Sequence, residues 1–73
     1  MKSIYDIQKL LIKYGTIVYI GDRVSDLEMM ESEIKDLHEA RLIETIEFQT
    51  ALMVLRREIR IEKEKRQRNR RER

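Results

Sequence analysis

With 73 residues, 16 of them basic and 14 acidic, the chain has a net charge of +2 and room for one small domain. It holds no cysteine, which excludes disulfide staples, thiol nucleophiles and thiolate metal sites and leads us to expect a cytoplasmic, reducing setting. Leu, Ile, Val and Phe make up 21 of the 73 residues, enough for a thin core that partner chains would help to bury; no apolar run approaches the ~20 residues of a membrane span, and no signal-peptide core is expected.

The first periodic segment runs from about Ile4 to Tyr14, with Ile4, Ile7, Leu11 and Tyr14 on one helical face, widened by Leu10. Ser3 is its expected cap, with Asp6 three residues on, and Gly15 stands where a left-handed residue ends a helix. Thr16 to Ile20 is β-branched and apolar, so it is expected to be extended. With no second strand in the chain it reads as a connector laid across the core, or alternatively as a strand edge for another chain.

Ser25 and Glu28 form a capping box for a second helix, with Asp22 a competing cap one turn earlier. Val24, Leu27, Met30, Ile34 and Leu37 then trace an apolar stripe along an otherwise acidic helix ending near Ala40. Thr45 is the expected cap of a third helix, on which Phe48, Leu52, Leu55 and Ile59 repeat at spacings of 4, 3 and 4. A helix over residues 23 to 40 is roughly 27 Å long at 1.5 Å per residue. A third helix folding back beside it would run out of partner near Ile61, the last apolar residue. The expected architecture is an all-α, three-helix domain over residues 1–62, with helices 2 and 3 an antiparallel hairpin. Residues 63–73 would be a basic helical extension or a disordered tail.

Charge is distributed unevenly along this framework. Residues 1–55 carry 6 basic and 10 acidic side chains, whereas residues 56–73 carry 10 basic and 4 acidic ones. Halves of opposite sign attract each other within or between chains, and a basic end suits an anionic partner.

Several ordered blocks, Ile4-Tyr5-Asp6-Ile7-Gln8-Lys9-Leu10-Leu11, Tyr14-Gly15-Thr16, Tyr19-Ile20-Gly21-Asp22-Arg23, Asp26-Leu27-Glu28-Met29-Met30, Glu47-Phe48-Gln49-Thr50-Ala51 and Leu55-Arg56-Arg57-Glu58-Ile59, resemble the YqgQ family of small proteins from Gram-positive bacteria. The likeness spans about residues 3–62. It implies three helices and, as a proposal made for a family without an established activity, single-stranded nucleic-acid binding. Where a glycine is expected between the second and third helices, this chain has Arg41.

The residues argue against catalysis. His38, the one histidine, has no carboxylate at the helical i±3 or i±4 positions, so it reads as a partly exposed helix residue and no metal site is expected. The carboxylates of the second helix read as a solvated face, because an acid/base pair needs unequal environments in a pocket and a core this small has no room for one of ~300 Å³. Gly15 and Gly21 form no phosphate loop. No cofactor and no small-molecule substrate are expected.

What remains is a candidate binding surface. Arg56, Arg60, Lys63 and Arg70 share a stripe of the third helix, with Arg57 and Arg66 beside it, and guanidinium forks suit phosphates. Tyr5 and Tyr19 are candidates for base stacking, whereas Tyr14 belongs to the apolar stripe. The expected function is non-catalytic, low-specificity binding of single-stranded nucleic acid. The alternative is a protein-interaction or self-assembly module, with acidic helix 2 meeting basic helix 3 of a neighbour in a homo-oligomer.

Overall fold

In a computed structural model, residues 3–71 are described, with side chains through Gln67; the candidate Arg70 side chain lies outside the described residues. Helix α1 spans Ile4–Lys13, α2 spans Arg23–Glu39 and α3 spans Thr45–Arg71, and no strand occurs among the described residues. At 1.5 Å per residue α3 is roughly 40 Å long, and it sets the long dimension of a 46 × 22 × 18 Å body.

The chain leaves α1 as its sequence suggests. Ser3 Oγ accepts from the Asp6 amide at 3.4 Å, and at the far end Gly15 N donates to Ile12 O and Thr16 N to Leu11 O, both at 2.9 Å. That pair of bonds is a Schellman motif, and it puts Gly15 at φ 82°, where a side chain would be strained. A second Schellman motif closes α2, with Arg41 N bonded to His38 O at 3.0 Å and Leu42 N to Leu37 O at 2.9 Å. The expected glycine is therefore replaced by Arg41 in the left-handed region, at φ 61°. Residues 16–20 form the extended connector, held where the Ile20 amide donates to Asp26 Oδ1 at 2.6 Å.

Two expected caps move. Asp22, and not Ser25, caps α2, accepting from the Ser25 amide at 2.9 Å, because helical geometry already begins at Arg23. Thr45 is the first residue of α3, so the cap position falls to Glu44, whose amide donates to Glu47 Oε1 at 3.3 Å. The Thr45 hydroxyl instead lies 3.3 Å from His38 Nε2.

The core joins Ile4, Ile7 and Leu11 of α1, Leu27, Met30 and Ile34 of α2, and Ala51 and Leu55 of α3, with Ile43 from the turn. Helices α2 and α3 pack as the antiparallel hairpin, and α1 lies across both. The Tyr14 hydroxyl fastens the end of α1 to the α2–α3 turn by donating to Leu42 O at 3.0 Å, and stacked His38 and Phe48 rings, 4.0 Å between centroids, close that turn. One expected core residue is corrected: Leu52 is only half-buried, and Ala51 takes the fully buried position. Because α3 is covered by α2 on one side and α1 on the other, its buried arc centres between them and away from the Phe48–Leu52–Ile59 edge.

Candidate nucleic-acid interface

On α3 the side chains of Arg56, Arg57, Arg60, Lys63 and Arg66 are all exposed, whereas Ala51 and Leu55 face the core. Their engagement differs. Arg56 Nε lies 3.7 Å from Glu31 Oε1, and Glu31 also holds Lys35 at 3.1 Å. Arg66 reaches back to Asp22, the cap of α2, through its Nη2. The Arg66 side chain thus links α3, beyond its last apolar residue Ile61, to the start of α2. Arg57, Arg60 and Lys63 have no ion-pair partner among the described residues.

Asp22 is doubly committed. Hydrogen bonds from the Ser25 amide and hydroxyl, and then from the Arg66 guanidinium, hold its carboxyl below the ordinary value of 3.8. Both groups favour the carboxylate, so cap and cross-helix link are made by one ionised side chain.

Between α2 and α3 runs an open groove of about 650 Å³, rimmed by Glu28, Glu31 and Lys35 on one side and by Arg56, Arg60 and Lys63 on the other. The surface thus offers a cleft larger than the sequence suggested. A smaller depression of about 340 Å³ lies where the starts of α1 and α2 meet the middle of α3, and Tyr5, Arg23 and Arg57 line it. The structure thus joins two of the candidate residues, Tyr5 and Arg57, and adds Arg23. Nothing in the local sequence marks Arg23, which reads as an ordinary first-turn residue of α2; only the packing of α1 across the hairpin brings it there.

The two candidate tyrosines are both exposed, Tyr5 at 65% and Tyr19 at 86%. Lys9 Nζ sits 5.2 Å from the centre of the Tyr5 ring. Tyr19 belongs to the connector and lines neither cleft. Among the described residues no group of three or more His, Cys, Asp or Glu is placed to hold a metal ion.

Fold and surface together define a small three-helix protein with a basic, solvent-facing third helix, and no described helix is long and apolar enough to cross a membrane. The chain belongs to the YqgQ-like family, whose model matches residues 1–61. It is 42% identical over 59 residues to the Uncharacterized protein YqgQ of Bacillus subtilis (strain 168), a match covering 81% of this chain and 83% of that relative. The family match includes Tyr5, Tyr19, Arg56, Arg57 and Arg60 and stops ahead of Lys63, Arg66 and Arg70.

Proposed function

We propose that the chain is a non-catalytic binder of single-stranded nucleic acid with low sequence specificity. The observation that carries this reading is the row Arg57, Arg60 and Lys63, exposed on α3 and without ion-pair partners among the described residues. Arg56 and Arg66 are secondary contacts, because each must first give up a carboxylate of α2. Phosphate contacts carry no sequence information, hence the low specificity. Exposed rings at Tyr5 and Tyr19 favour a single strand, whose bases are free to stack, over a duplex.

The alternative, acidic α2 of one chain against basic α3 of the next, is weakened because Glu31–Arg56 and Asp22–Arg66 already join those helices inside one chain. Fluorescence anisotropy with a labelled oligothymidylate tests the reading. Three phosphate contacts at about −0.7 each in the salt slope make affinity fall roughly twentyfold between 50 and 200 mM salt. Replacing Arg57, Arg60 and Lys63 together by Ala should abolish most of that dependence. Binding unchanged by the triple substitution would refute the reading.

A further inference from the structure

Resting on that reading, we propose that the depression lined by Tyr5, Arg23 and Arg57 is a one-nucleotide subsite, in which the Tyr5 ring stacks a base and the two guanidiniums hold the adjoining phosphate. The depression combines contributions from all three helices: Tyr5 from the first turn of α1, Arg23 from the start of α2, and Arg57 from the middle of α3. Its volume of about 340 Å³ stands at the lower end of the ~300–1,000 Å³ of ligand clefts and gives room for one nucleotide.

The chemistry matches each part of a nucleotide. Tyr5 is 65% exposed, and the Lys9 ammonium over one face of its ring leaves one face for a base. Arg23 and Arg57 have no ion-pair partner among the described residues, so their forks are available to a phosphate. Glu58 also lines the depression, and two guanidiniums against one carboxylate leave it net positive. Ile4 and Val54 supply an apolar floor for the sugar and the base edge. Arg57 belongs both to the depression and to the exposed row with Arg60 and Lys63. A strand anchored by one nucleotide here therefore continues directly along α3.

The test uses the full chain, a labelled oligothymidylate of twelve nucleotides, and the variants Tyr5→Leu, Tyr5→Phe, Arg23→Gln, Arg57→Gln and Arg60→Gln, with circular dichroism confirming that each folds. A stacking ring is worth about 1–3 kcal/mol per base, so Tyr5→Leu should weaken binding by roughly 5- to 150-fold while leaving the salt slope unchanged. Tyr5→Phe should bind like the parent, because the ring and not the hydroxyl makes the contact. Arg23→Gln and Arg57→Gln should each flatten the slope by about 0.7. Amide shifts on adding the thymidine dinucleotide TpT should centre on residues 3–5, 23 and 54–58. If Tyr5→Leu and Arg23→Gln bind like the parent while Arg60→Gln weakens binding, the subsite is wrong and the α3 reading stands. If the parent chain binds no oligothymidylate, the functional reading falls and the subsite with it.

Discussion

Leu55→Ala tests the packing that presents α3. Leu55 is fully buried at the junction of the three helices, whereas Leu52, three residues earlier, is half-buried and stands outside the core cluster. A buried Leu→Ala change costs about 2–5 kcal/mol, the spread reflecting how far the site collapses. Stabilities of 0.05–0.15 kcal/mol per residue put a chain this size at roughly 4–11 kcal/mol in all, so Leu55→Ala should remove a large fraction of it. With a urea dependence near 1 kcal/mol per molar, the lowest expected for small domains, the midpoint should drop by roughly 2–5 M. Leu52→Ala should cost about 1 kcal/mol and move the midpoint by about 1 M. Urea titrations followed by helical circular dichroism measure both. Equal losses at the two positions, or a larger one at Leu52, would mean that the buried arc of α3 is misassigned.

Arg41→Gly should stabilise the fold by roughly 0.5–1 kcal/mol, since glycine removes the left-handed strain at φ 61° at some cost in chain entropy; thermal melts report it directly. Gly21→Ala should destabilise by about 1–2 kcal/mol in the same melts: nothing lies within 4 Å of an added Cβ, so the cost arises from φ 98° alone. Asp22 has its carboxyl lowered in the folded state, so its stabilisation is complete above the ordinary value of 3.8 and is lost as pH falls through the folded value. Melts of the parent and of Asp22→Asn across pH 2–6 should therefore differ most at the upper end and converge in acid.

Much of the fold was legible because local chemistry and periodicity agree. Of the stripe on α2, Val24, Leu27, Met30 and Ile34 are buried and Leu37 is half-buried against the core, and Ser3 and Gly15 bound α1 as capping rules require. The misreadings have tertiary causes. Leu52 and Ala51 both sit near the predicted face of α3, and only the placement of α1 decides between them. Asp22 and Ser25 are both competent caps, and Arg66 reaching across from α3 adds a reason for the earlier one that no local window contains. For the candidate site, helical spacing marked the basic stripe of α3 and nominated Tyr5 and Tyr19, whose exposure only the packing decides. The meeting of Tyr5, Arg23 and Arg57 across more than fifty residues of chain was beyond sequence spacing.

The central claim is that the exposed bases of α3 hold the phosphates of a single strand. Its most direct test is the slope of log affinity against log salt for oligothymidylate binding. Contacts from Arg57, Arg60 and Lys63, with a partial one from Arg56, predict a slope of roughly −2 to −3, similar for unrelated single-stranded sequences and flattened by about 2 when the three are replaced by Ala. A slope near zero, or no binding at ~50 mM salt and high micromolar protein, would contradict it.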